Sequence, residues 1–276
     1  RKFPARVIES GPAAGAQMSA FHGRALKRPE LLSFDMGGTT AKGALIRGGE
    51  AIKVYFQEVA RVHDFKAGSG LPVKSPVIDM IEIGAGGGSI AAVDVRGTIR
   101  VGPHSAGADP GPACYGQGGQ AATLTDANVV LGYLDPNFFL GGAMALDVAA
   151  AEQVIKTQIA GPLKRSLARA AWGIHEIVDE DVARAFRIHA SERGFDYRGS
   201  SMVAFGGSGP VHAMGVARKL GIPRVIFPVA AGVMSALGLL ASPLTFEVAR
   251  TKQAFVADLS AEDFAATLAD LEIEAK

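Results

Sequence analysis

Residues 35 to 40 read Asp-Met-Gly-Gly-Thr-Thr, directly after the apolar run Leu31-Leu32-Ser33-Phe34. Paired glycines let backbone N–H groups converge on a phosphate oxygen, and threonine hydroxyls add donors. That assigns Gly37, Gly38, Thr39 and Thr40 to phosphate binding. A carboxylate at the strand end, Asp35, can hold hydrated Mg²⁺ or orient a water. The loop lacks the Gly-Lys-Ser/Thr ending of a Walker A sequence, and a second apolar run, Ala44-Leu45-Ile46, follows where a P-loop would open a helix. A phosphate-gripping β-hairpin is the expectation, with a plain tight hairpin as the alternative.

Two other glycine loops compete for chemistry. Gly206-Gly207-Ser208-Gly209-Pro210 ends one apolar run and opens a helical pattern. A helix N-terminus offers unpaired N–H groups and a favourable dipole to a nucleotide or other anion. The same residues also suit a turn packed closely for steric reasons. Gly84-Ala85-Gly86-Gly87-Gly88-Ser89 formally matches a dinucleotide fingerprint through Gly86, Gly88 and Ala91. That fingerprint needs a helix next, whereas Val93-Asp94-Val95 continues as strand, so the Rossmann reading is rejected. His104, Asp109 and Cys114 are Zn²⁺ ligands by type, although their spacing is not diagnostic and a lone cysteine is commonly just buried. His175 and His189 read as surface or capped core residues of a helical region, and Trp172 and Phe186 as core. His212, just inside the helix after Gly209, is placed to approach a ligand; His63, in a polar stretch with Asp64 and Lys66, reads as solvent-exposed.

The elements that must position these residues follow from the apolar pattern. About 30–122 is rich in glycine, proline and short β-branched runs and reads as strands and ordered loops. About 125–195 is helical, with Thr125 or Asp126 capping a short helix to Leu131, then helices at Asp147–Ile159 and Lys164–Arg193 closed by Gly194. About 200–250 is a βαβ unit: Ser201–Phe205 as strand, a helix to Leu220 ended by Gly221, and Val225-Ile226-Phe227 as a parallel strand. A last helical pattern spans Leu259–Glu274. The fold class is mixed α/β.

Composition narrows the function. With 28 Lys+Arg against 27 Asp+Glu, the chain lacks the footprint of a nucleic-acid or membrane-surface binder. Glycine is the outlier, at 35 of 276 residues against an average near 7%. One cysteine and the absence of a signal-peptide layout point to the cytoplasm. The start at Arg1-Lys2-Phe3-Pro4 reads as cut from something longer. The uncharged stretch Val225–Phe246 is interrupted by Pro228, Gly232, Gly238 and Pro243, which reads as buried core rather than a membrane span.

Taken in order, Gly11-Pro12-Ala13-Ala14-Gly15, the Asp35–Thr40 loop, Ile83–Ala91, Ser105–Gly116, Thr123–Asn128 and Phe205–Pro210 resemble the hydantoinase A domain over nearly the whole of 1–276. That family is shared by ATP-dependent N-methylhydantoinases, 5-oxoprolinases and subunits of acetone and acetophenone carboxylases. The resemblance implies an actin-like ATPase fold, with a ribonuclease-H-like core, a Gly/Pro-rich β insertion and central helices. It implies a missing N-terminal lobe with its own Asp-x-Gly-Gly-Thr hairpin, two hairpins pinching the phosphates of ATP·Mg²⁺, and a companion hydantoinase B-type subunit. Gly206, Gly207, Ser208 and Gly209 would then lie by the nucleotide, while Gly86, Gly87, Gly88, Ser89 and Asp109 would help build the cavity for a small-molecule substrate. Where many relatives have a His two residues beyond the Asp corresponding to Asp79, this chain has Ile81. The implied reaction is phosphorylation of the carbonyl oxygen of a cyclic amide (N-methylhydantoin, hydantoin or 5-oxoproline), followed by hydrolysis. The alternatives are a ketone carboxylase subunit, or a scaffold that keeps the fold without the catalysis.

Overall fold

Leu31–Phe34 is apolar without alternation because both faces of its strand are covered. In the computed structural model, which describes residues 7–59, 68–243 and 248–276, this run lies at the centre of the main sheet. The chain enters through α1 (Ser10–Ala25), then forms β1 (Leu31–Met36), β2 (Ala41–Arg47) and β3 (Glu50–Ala51). Two short ribbons follow, β4 (Lys53–Val54) with β7 (Val77–Ile78) and β5 (Gln57–Val59) with β6 (Leu71–Val73). Next come β8 (Met80–Ile83) and the antiparallel pair β9 (Ser89–Val93) and β10 (Ile99–Ser105). Helices α2 (Leu124–Val130), α3 (Val148–Ile155) and α4 (Leu167–Glu192) make up the middle. The βαβ unit is β11 (Ser201–Phe205), α5 (Gly209–Leu220) and β12 (Val225–Ile226), and α6 (Met234–Ala241) follows it.

The main sheet runs β12-β11-β1-β2-β3, with β8 also paired to β2. Strands β1 and β2 are antiparallel, whereas β11 is parallel to both β1 and β12. An antiparallel meander extended on one side by parallel strands is the ribonuclease-H-like arrangement expected from the sequence. Alternation along β1 then separates two layers. Leu32, Phe34 and Met36 join the core with Ile174 and Phe186 of α4 and Val216 of α5. Leu31 joins Ala16 and Ala20 of α1 and Met234 of α6, and Ser33 bonds the Ser19 hydroxyl of α1 at 2.9 Å. Asp35 has the same parity as Leu31 and Ser33, which turns it toward the α1–α6 side.

Several local expectations change. The cap of α2 is Thr123, two residues earlier than expected; its hydroxyl accepts from the Asp126 N–H at 3.2 Å, while Asp126 accepts from the Thr123 N–H at 2.9 Å. This capping box makes Asp126 the N3 partner, a helical residue rather than the cap. Helix α3 widens into a π turn over Lys156–Ala160. Trp172 is 46% exposed, on the outer side of α4, so only Phe186 of that pair is core. The stretch after Val225 is not simply buried: Met234 is, but Val229 and Leu240 are 92% and 86% exposed. Here α6 packs on α1 along one narrow face, where Gly238 meets the Ala14 backbone. Among the described residues no helix is long and apolar enough to cross a membrane. The described residues fall into two compact units, within 1–241 and within 242–276. The second contains α7 (Ala261–Ala275), capped by the Ser260 hydroxyl, which accepts from Asp263 N–H at 3.0 Å. His63 lies outside the described residues.

Candidate functional site

The β1–β2 turn is closed by Gly37 N–H donating to the Thr40 carbonyl at 3.1 Å. The N–H groups of Gly38, Thr39 and Thr40 have no protein acceptor among the described residues. Gly38 and Thr39 are exposed. Around this tip lies a cleft of about 310 Å³ lined by Pro12, Asp35, Thr39, Thr40, Lys42 and the two glycines of the turn. Unspent amides that converge on a cleft form an anion site of the nest type.

The other two glycine loops back this hairpin. Gly87 and Gly88 donate to the carbonyls of Gly37 and Gly38 at 3.0 and 2.6 Å. Gly86 approaches so closely that a Cβ would lie 2.5 Å from the Thr39 nitrogen. Ser89 accepts from Gly86 N–H at 2.9 Å through its hydroxyl. All four are buried, so they support the hairpin from behind rather than line an open cavity. On the other side, Ser208 N–H donates to the Met36 carbonyl at 2.8 Å, and Gly206 N–H donates to Ala231 at 3.0 Å. Gly206 sits at φ +84°, pressed against Met36 and Asp35, where a side chain would be strained and would collide. Gly209 is buried close to Met36, while Gly207 is exposed with open space around its Cα. In this loop, then, Gly206, Ser208 and Gly209 serve close packing, and Gly207 faces outward.

Asp35 is partly buried. Desolvation raises its carboxyl above the ordinary range, opposed by a hydrogen bond from Ser235 of α6 at 3.5 Å and by the Lys42 charge. Lys42 is paired across the ladder with Asp35, forms an ion pair with Glu9, and lies 3.4 Å from Glu82. Neither Lys42 nor Ser235 was singled out from the sequence. Lys42 had a readable signal, since a lysine two residues past the turn must face the same way as Thr40, directly across from Asp35. Ser235 had none, because 200 residues separate it from Asp35.

The expected metal group does not assemble. His104 and Asp109 are exposed and Cys114 is fully buried. Among the described residues, only His175, Asp179 and His212 bring such side chains within 4.8 Å of one another. Burial, with the nearby Asp126 carboxylate, pushes the Cys114 thiol strongly upward and away from thiolate chemistry. A larger concavity of about 490 Å³ lies at Gly84, Pro103, Arg100 and Arg184. Of the cations that line it, Arg100 and Arg184 are paired with Asp94 at 3.0 Å and Asp181 at 2.7 Å, and Arg96 stands beside them.

The sheet order defines a ribonuclease-H-like core, with the hairpin's unspent amides at one end of it. The chain belongs to the hydantoinase/oxoprolinase family, which it matches over residues 1–248. It is 36% identical over 247 residues to the caprolactamase alpha subunit of Pseudomonas jessenii, covering 90% of this chain and 34% of that protein. It is 40% identical over 240 residues to the acetophenone carboxylase gamma subunit of Aromatoleum aromaticum, covering 86% and 31%. Its fold superposes on a nucleotide-free acetone carboxylase structure with a TM-score of 0.79 and 32% identity, over 100% of this chain and 39% of that one. The chain thus spans about a third of the length of these two relatives.

Proposed function

We propose that this chain forms one side of an ATP site in an enzyme that activates an unreactive carbonyl by phosphorylation, with cyclic-amide hydrolysis as the reaction. The observation that carries this reading is the set of unspent N–H groups at Gly38, Thr39 and Thr40, beside Asp35 and Lys42 in one cleft. Phosphoryl transfer depends on positioning and charge stabilisation, and that donor set supplies both. The tip amides and threonine hydroxyls hold phosphate oxygens, beside Lys42, which Glu9 and Glu82 already pair. Asp35 fits a hydrated divalent cation, because burial without a full ion pair leaves its carboxylate under-compensated. Mg²⁺ bound there would neutralise phosphate charge. Relatives described as ATP-dependent, the caprolactamase and acetone carboxylase structures, support ATP as the nucleotide.

Ketone carboxylation is the second reading, supported by the 40% identity to an acetophenone carboxylase subunit. It uses the same activation with a different acceptor.

The test is ADP release by the complete polypeptide with its companion subunit. N-methylhydantoin, hydantoin, 5-oxoproline and caprolactam form one arm, and acetone or acetophenone with bicarbonate the other. A cyclic amide should stimulate ADP release, and Asp35→Ala should abolish that stimulation with the circular dichroism spectrum unchanged. Undiminished turnover in Asp35→Ala would remove this cleft from the chemistry.

A further inference from the structure

The concavity at Gly84 and Pro103 shares no lining residue with the hairpin cleft, and the chemistry proposed above makes no use of it. Two of its walls are strands with an unpaired edge. Among the described residues β8 pairs with β2 alone, and β10 with β9 alone. The two strands touch at one end. A Cβ on Gly84 would lie 3.2 Å from Pro103, and one on Gly102 would lie 2.7 Å from the Gly84 carbonyl oxygen. Beyond this closed end the strands leave a cavity of about 490 Å³ between them, lined also by Ile177, Asp181 and Arg184 of α4. A concave site of that size holds a small organic molecule.

The lining divides by chemistry. Ile99, Val101 and Ile177 give it half-buried apolar surface. Three guanidinium groups give it charge. Arg100 donates through Nε to Asp94 at 3.0 Å, and Arg184 through Nη2 to Asp181 at 2.7 Å, which leaves each of them N–H groups without a protein acceptor among the described residues. Arg96 forms no ion pair with any described residue, and Glu82, the third acid of the lining, lies 3.4 Å from Lys42. One positive charge, that of Arg96, is therefore left over. The turn that carries it is fixed in advance, because Asp94 Oδ1 accepts from the Arg96 and Thr98 N–H groups at 2.9 and 3.0 Å. A guanidinium is a planar fork that matches a carboxylate with two parallel hydrogen bonds. A single surplus charge suits a monoanion, whereas a phosphate dianion would bring a second negative charge with no cation to meet it.

We propose that this wedge between β8 and β10 is a binding site for a small monocarboxylate with an aliphatic or aromatic body. Arg96 holds the carboxylate, helped by the uncommitted N–H groups of Arg100 and Arg184, and the body lies along Ile99, Val101 and Ile177. The site adjoins the hairpin without being part of it, since Gly84 opens the loop whose Gly87 and Gly88 N–H groups hold the hairpin carbonyls. It stands whether or not the cleft takes a nucleotide.

Calorimetric titration of the complete polypeptide with hexanoate, in the absence of nucleotide, tests this, with 1-hexanol and inorganic phosphate as the comparison probes. Hexanoate should bind saturably and about tenfold or more tightly than either. Hexanoate should slow amide exchange in peptides covering residues 82–85 and 98–103 and leave residues 37–40 unchanged. Arg96 lies on an exposed turn, so Arg96→Gln should keep the melting temperature while weakening hexanoate about tenfold or more. Arg96→Lys, which keeps the charge and loses the fork, should recover only part of that loss. Absence of saturable binding at tens of millimolar would overturn the proposal. So would equal affinity for hexanol, displacement of hexanoate by equimolar phosphate, or full affinity in Arg96→Gln. Protection confined to the hairpin would move the ligand to the cleft and overturn it as well, and that map is read on the wild type, so it decides even where a variant fails to fold.

Discussion

Gly38 lies at the tip of the β1–β2 turn with open space where a Cβ would be. A methyl group there leaves the fold untouched but obstructs an approaching phosphate. Gly38→Ala should keep the wild-type melting temperature and weaken ATP binding by about tenfold or more in the complete enzyme, roughly 1.4 kcal/mol. Calorimetric titration beside a thermal melt would separate the two, and unaltered affinity would place the phosphates elsewhere. Cys114 gives the opposite case. With its thiol buried and pushed upward, it should resist alkylation by iodoacetamide at pH 8 in the native protein and react only on unfolding. Rapid native labelling, followed by mass spectrometry, would contradict that burial. Residue types made Asp35 and its four loop partners legible in the sequence. Lys42 needed strand register, and Ser235 needed the fold itself.

Among the elements, the short helix α2 does more than its length suggests. Its N3 residue, Asp126, is fully buried and accepts from Thr123 N–H at 2.9 Å, Thr123 Oγ at 2.7 Å and Cys114 N–H at 2.8 Å. Removing that carboxylate would strand several buried donors. Asp126→Ala should therefore cost about 2–4 kcal/mol in a urea titration, far more than an exposed cap substitution. A loss below about 0.5 kcal/mol would mean that the donors find other partners. The helical segments and the βαβ unit were readable from periodicity, Pro210 and Gly221. The cap of α2 was misplaced by two residues because both Thr123 and Thr125 are chemically able to cap. Only tertiary contacts separate them, with Thr125 drawn off to the Gly87 carbonyl.

For the molecule as a whole, the hairpin cleft is lined, among the described residues, by α1, β1, β2 and the turn between the strands, and its tip is exposed. A nucleotide held by one hairpin makes few contacts. The chain by itself should bind ATP with Kd above about 1 mM and release no ADP, and supplying the remaining two thirds of a relative-length polypeptide should restore both. Efficient turnover by the chain alone would refute the one-sided reading of the cleft.

Local chemistry sufficed for the hairpin loop, the order of strands and helices, and the rejection of a dinucleotide site, because turn residues and apolar period act over a few neighbouring positions. Pairing β1 with β11 and seating Gly87 and Ser208 against the hairpin joined residues more than 40 positions apart. Bringing Asn128 together with His175 and His212 in one buried cluster did the same. No one-dimensional pattern encodes such meetings, since they follow from which faces of the sheet and helices are driven out of water together.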